Sequence, residues 1–187
     1  MNNKHTMVNH LLSTERIEII NSQVEELLVQ YKDSKNSSDV LNKLIKDNGI
    51  QLKELDLMEL SGVLFKSEGE QWNLLVNKMD STARKLFTIA HELGHFYLHR
   101  NNENQFIDGE LVRARNENTR FDEYELEANE FAGNLLMPKK EIEQKLQSRD
   151  IVVDLKKIKE LSEQFLVSTF AIQTRLKNLD YKILQNG

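Results

Sequence analysis

The chain has no cysteine and a single proline among its 187 residues. Without thiols there is no disulfide framework and no cysteine nucleophile, so histidine and carboxylate are the strong metal ligands that remain. One proline, Pro138, and seven glycines leave little material for tight turns, which points to a helix-rich chain. Aromatic residues make up only 7%, and no apolar run approaches a membrane-spanning length. Met1 to His10 lacks the apolar stretch of a secretory leader, so a cytoplasmic protein is expected. Basic excess is missing too. The formal net charge is -5, which argues against a nucleic-acid polyanion as the main partner.

What is present in bulk is ordinary for a globular protein, with 39% hydrophobic and 29% charged residues. The length suits one domain with a real core and a small appendage. The informative stretch is Ser81 to Arg100, which holds His91, Glu92, Leu93, Gly94 and His95 in H-E-x-x-H order. On a helix, residues four apart share a face, so His91 and His95 aim two imidazoles at one point. Neutral imidazole suits zinc and similar divalent ions, and Glu92 stands one step round the helix, where a general base belongs. Two surface histidines would be the plain alternative. Leu86, Phe87, Ile89, Ala90, Leu93, Phe96 and Leu98 argue against it, because they make the helix apolar over most of its circumference.

Around this element the spacing predicts an N-terminal helical segment over 1–48, with helices at Thr14–Tyr31 and Asp39–Asn48 ended by Gly49. A core over 49–150 follows. It starts with strands at Ile50–Leu55, Ser61–Ser67 and Gln71–Asn77, expected as a small, mostly antiparallel three-stranded sheet. Asp80 or Ser81 caps the next helix. Asn101–Asp122 reads as a long irregular connection, with Phe106, Ile107, Leu111 and Val112 available for one ordered piece. Arg113, Arg115 and Arg120 there are read as solvated surface in preference to site cations. Helices are predicted at Glu123–Met137 and Lys139–Gln147. A C-terminal helical segment over 151–187 has two more helices around a break at Val167–Ser168, packed on the core. The fold class is thus α+β.

Two histidines leave a tetrahedral ion short of a protein ligand. Glu123, Glu125 and Glu127 are the candidates. From Glu125 the same helix face carries Ala128, Asn129 and Ala132, small enough for close packing, with an amide to orient a ligand histidine. Glu125 is preferred and Glu127, some 200° away at ~100° per residue, is the alternative. For a second donor to a developing oxyanion, Tyr97, His99 and Tyr124 are candidates; His99 equally suits the end of a helix, where positive charge is favoured.

The run Arg84 to His95, then Glu125-Leu-Glu-Ala-Asn-Glu-Phe-Ala132, then Leu135-Leu-Met-Pro138, resembles the ImmA/IrrE family of metallopeptidases. The likeness is strong over Asn77–Pro138 and weak through the C-terminal helices. It implies a zincin-like fold, with the site between the two helices. It also implies His91, His95 and Glu125 as metal ligands, Glu92 as the catalytic glutamate, and zinc, or manganese, as the ion. Family members cleave a partner repressor of the XRE helix-turn-helix type in prophages, mobile elements or stress responses. A substrate strand is expected to pair along a sheet edge such as Gln71–Asn77.

Two other functions compete. The C-terminal helices resemble a helix-turn-helix, with Gln173, Thr174 and Arg175 placed to reach DNA. Yet Asp154–Gly187 has only six Lys/Arg against four Asp/Glu, so packing on the core is preferred and DNA binding is not expected. The other is a metal-binding regulatory or toxin-like partner of a repressor, without proteolysis.

Overall fold

The computed structural model describes residues 12–108, 119–147 and 151–184. The described residues open with helices α1 (Thr14–Gln30) and α2 (Ser37–Asp47). Each starts at a small polar residue that satisfies a first-turn amide: Ser13 accepts from the Arg16 N–H and Asn36 from the Asp39 N–H. After α2, Gly49 takes φ +64°, the left-handed conformation that glycine adopts without a Cβ penalty.

Strands β1 (Gln51–Leu55), β2 (Gly62–Lys66) and β3 (Trp72–Asn77) follow, then helix α3 (Thr82–His99) and strand β4 (Gln105–Asp108). The sheet order is β1-β3-β2-β4. β2 is antiparallel to both neighbours, whereas β1 and β3 run parallel. Two expectations are corrected here. Among the described residues the sheet has four strands and is mixed, not three-stranded and mostly antiparallel. Its fourth strand comes from the connection after α3, through the Phe106–Ile107 pair. β3 lies inside the sheet, so Gln71–Asn77 has no free edge to offer a substrate. Alternation within a strand sets which face is buried but not which strand lies beside it. Once β2 and β3 form a hairpin, the far side of β3 still carries backbone donors and acceptors, and β1 satisfies them.

The chain continues with α4 (Thr119–Leu136), α5 (Lys139–Leu146), β5 (Val152–Val153), α6 (Leu155–Phe165), α7 (Thr169–Asn178) and β6 (Lys182–Ile183), with β5 and β6 paired in parallel. Helix α4 starts four residues before the expected Glu123. Leu111, Val112, Arg113 and Arg115 lie outside the described residues, as does the Arg120 side chain. Leu166 makes the turn between α6 and α7 at φ +55°, and Ser168 caps α7 by accepting from the Ala171 N–H.

The core sits where α3 packs against α4 on one side and against the sheet on the other. A continuous apolar cluster runs from Ile20 and Leu44 through Leu74, Leu93 and Phe131 to Leu161 and Leu176. Arg175, considered above as a DNA contact, is buried in it. Its Nε donates to the Met137 carbonyl at 3.1 Å and its Nη2 to Asn134 Oδ1 at 2.7 Å. It therefore ties α7 to the end of α4 and is not on an outward recognition face. Among the described residues, no helix is long and apolar enough to cross a membrane. The class is α+β, as expected.

Candidate metal centre

Helix α3 begins at Ser81, whose hydroxyl accepts from the Arg84 N–H. Its apolar residues seat it between α4 and the sheet, and this buries the polar residues of its middle. His91, Glu92, His95 and His99 are all at most 1% exposed. Three of these, His91, His95 and His99, follow one another at four-residue steps along one face.

Helix α4 comes close enough to meet that face because Gly94 has no side chain. A Cβ there would lie 2.9 Å from Ala128 Cα and 3.1 Å from its carbonyl oxygen. Ala128 is itself fully buried, so two small residues face each other at the crossing. One turn earlier on α4, Glu125 reaches the histidines. Its Oε1 is 3.0 Å from His95 Nε2 and its Oε2 is 3.4 Å from His91 Nε2, while the two Nε2 atoms are 3.1 Å apart. One donor atom from each of the three residues lies within 4.8 Å of the others, and all three residues are buried.

These separations suit a shared ion. Donors at 2.0–2.1 Å around a tetrahedral centre stand about 3.3 Å from one another. The donor set, two imidazoles and a carboxylate, is that of a borderline divalent ion such as zinc. Charge points the same way. Burial drives the His95 pKa down to about 4 against the opposing hydrogen bond with Glu125, so the ring is neutral. Burial would raise the Glu125 carboxyl, but hydrogen bonds with His91 and His95 outweigh it and hold it below the ordinary carboxylate range. With its hydrogen on Nδ1, that neutral ring would offer an Nε2 lone pair 3.0 Å from an anionic oxygen, an arrangement that a cation between them would hold together.

The rings are supported from behind. His91 Nδ1 lies 3.1 Å from Asn129 Oδ1, the contact anticipated for that amide. His95 Nδ1 lies 3.1 Å from His99 Nδ1, and Phe106 of β4 stacks on the His95 ring at 4.5 Å. Glu127, the alternative ligand, turns away from the cluster. Its carboxylate accepts from Arg16 of α1 and lies 2.8 Å from His99 Nε2. Glu92 faces the start of β2, where a Cβ on Gly62 would come within 2.8 Å of its Oε1.

The candidate oxyanion donors are engaged elsewhere. Both ring nitrogens of His99 are taken up by His95 and Glu127. The Tyr97 hydroxyl accepts from Asn48 Nδ2 at 2.7 Å, towards α2. Tyr124 stacks on His99 at 4.0 Å, and its hydroxyl accepts from Asn102 Nδ2 at 3.2 Å. Arg16, Gly62 and Phe106 were not anticipated. Their places depend on strand order and helix docking, for which the local sequence carries no signal.

Two helices that bring two imidazoles and a carboxylate together in the interior, beside a small mixed sheet, define a metallopeptidase-like domain. The family model of Peptidase_M78, the IrrE N-terminal-like domain, matches residues 45–177, and the chain belongs to that family. No curated protein matches the chain. Among solved structures, a Mycobacterium tuberculosis transcriptional regulator is similar at TM-score 0.60 and 18% identity, covering 86% of this chain and 46% of that one. That likeness is one of fold. The chain spans about half the length of that protein.

Proposed function

We propose that this chain is a zincin-like, metal-dependent endopeptidase that cuts a partner transcriptional repressor of the XRE helix-turn-helix type in the cytoplasm. Cutting relieves repression in a prophage, mobile element or stress response. The observation that carries the proposal is the buried cluster of His91, His95 and Glu125. Membership of the M78 family supports the peptidase chemistry, and the likeness to a transcriptional regulator supports the regulatory setting. Residues 49–150 are the catalytic core in this proposal, with 1–48 and 151–187 packed on it.

His91, His95 and Glu125 hold one divalent ion, Zn2+ with Mn2+ as the alternative. When bound, the ion supplies Lewis acidity towards a water and the scissile carbonyl. Glu92 accepts the proton of that water and delivers it to the leaving amine as the C–N bond breaks. Its complete burial against β2 keeps bulk solvent from the carboxylate and fixes its direction. Among the described residues β4 pairs only with β2, and Phe106 places it over His95. The outer edge of β4 thus takes the role first assigned to Gln71–Asn77, pairing with an extended substrate.

The test is incubation with a helix-turn-helix repressor encoded beside this chain, with and without chelator. Wild type should cut it, chelator should abolish the cut, and Glu92→Gln should keep the metal but lose cleavage. Cleavage that survives chelation, or a metal-loaded Glu92→Gln that still cuts, overturns the proposal. Metal-dependent capture of an intact repressor selects the non-proteolytic alternative instead.

A further inference from the structure

Behind His95 the polar contacts do not stop at one partner. They continue from His95 to His99, from His99 to Glu127 and from Glu127 to Arg16, which ends the series on α1. Arg16 lies outside the residues matched by the family model, and 111 positions separate it from Glu127.

The hydrogens along this series are fixed by elimination. His95 turns Nε2 towards His91 and Glu125, so binding an ion there requires a bare Nε2. A neutral ring then carries its hydrogen on Nδ1. That hydrogen points at His99 Nδ1, 3.1 Å away, which must accept. His99 in turn carries its hydrogen on Nε2 and donates it to Glu127 Oε2 at 2.8 Å. Glu127 receives it as a carboxylate, and Arg16 grips both of its oxygens, Nε to Oε1 at 2.6 Å and Nη2 to Oε2 at 2.5 Å. The planar fork of a guanidinium matches a carboxylate in this way, whereas an ammonium does not. Stacking holds the rings in plane, with Phe106 on His95 and Tyr124 on His99. Behind His91, among the described residues, Nδ1 meets the neutral amide of Asn129.

We propose that His99, Glu127 and Arg16 are positioning residues that set the His95 tautomer, making α1 a working part of the metal centre. This rests on the proposed metal site. The oriented carboxylate selects Nε2–H on His99, which leaves His99 Nδ1 free to accept, which in turn turns the His95 lone pair towards the ion. Groups behind a ligand histidine are typically worth about 10- to 100-fold in metal affinity.

The experiment has two arms on the full chain. Long-range proton–nitrogen NMR of the zinc-loaded wild type reads the ring hydrogens without any substitution. His95 should carry hydrogen on Nδ1, and His99 on Nε2 with Nδ1 bare. Zinc affinity by chelator competition, with the visible spectrum of bound Co2+, is then compared across Arg16→Met, Arg16→Lys and Glu127→Gln. Arg16→Met should weaken zinc by about tenfold or more and shift the Co2+ bands, with Arg16→Lys and Glu127→Gln in between.

A support that was merely structural would lower the melting temperature yet leave zinc affinity and the Co2+ bands unchanged, and that result overturns the proposal. So does a His99 ring with hydrogen on Nδ1 in the zinc-loaded wild type, which decides the matter even if the variants do not fold. Wild type that binds no divalent ion removes the metal site itself, and with it this proposal. Wild type that binds, with indifferent variants, removes the positioning role alone.

Discussion

Gly94 of α3 meets the backbone of Ala128 on α4 so closely that a methyl group at 94 would stand 2.9 Å from Ala128 Cα. The obstacle is main chain, which cannot swing aside as a side-chain end would. This contact sets the distance between the two helices and thus the reach of Glu125, one turn from Ala128.

Gly94→Ala is therefore expected to separate α3 from α4. In an exposed helix the change would stabilise by about 1 kcal/mol. Here overpacking should outweigh that gain, for a net loss of roughly 1–3 kcal/mol. Zinc affinity should fall with it. Urea denaturation and chelator competition check both. A variant as stable as wild type, with zinc affinity intact, would contradict the packing argument.

Gly62→Ala tests the other side of the site. Its Cβ would meet Thr88 Cγ2 at 2.5 Å and Glu92 Oε1 at 2.8 Å. The proposed metal ligands His91, His95 and Glu125 are not touched, so zinc binding should persist. If Glu92 is the proton acceptor as proposed, cleavage should drop by about 100-fold, the usual cost of displacing a catalytic group by about an ångström. Loss of zinc in parallel with activity would instead mean that the substitution disturbs the whole helix.

Acid should weaken the metal-free protein before it reaches the ordinary carboxylate range. Burial lowers the His95 pKa from 6.5 to about 4, and burial also lowers that of His99. Between those values the unfolded chain binds more protons than the folded one, so stability is present above about pH 6.5 and drains away as pH falls towards 4. Each such group contributes a slope of up to about 1.4 kcal/mol per pH unit. Glu127 acts in the same direction at lower pH: burial opposes its ionisation, but Arg16 and His99 hold its pKa down. Urea titrations in chelator at pH 7, 6 and 5 would reveal the slope, and a flat profile would refute it.

Arg175→Met separates the two roles considered for the C-terminal helices. The guanidinium is 5% exposed, donates to Met137 and Asn134, and has Glu130 at 3.5 Å. Removing it strands those acceptors, for an expected loss of roughly 3 kcal/mol in chemical denaturation. A variant of unchanged stability that had lost affinity for DNA would restore the recognition-helix reading.

The elements were largely legible in the sequence because each is set by local rules. Apolar spacing marked α1, α2, α3 and the three first strands, and Gly49, Ser81 and the Val167–Ser168 break fell where their backbone roles require. The paired histidines were legible for the same reason: four residues on one helix fix a shared face in any fold. Asn129 and Glu125 followed from the small residues beside them, since small residues mark where helices approach.

Tertiary structure alone decided the rest. The place of β3 between β1 and β2 depends on pairing between distant segments. The recruitment of β4 beside His95, the inward turn of Arg175, and the arrival of Arg16 behind Glu127 depend on how helices and strands dock. Periodicity records which side of an element avoids water; it does not record which distant residue will be waiting there.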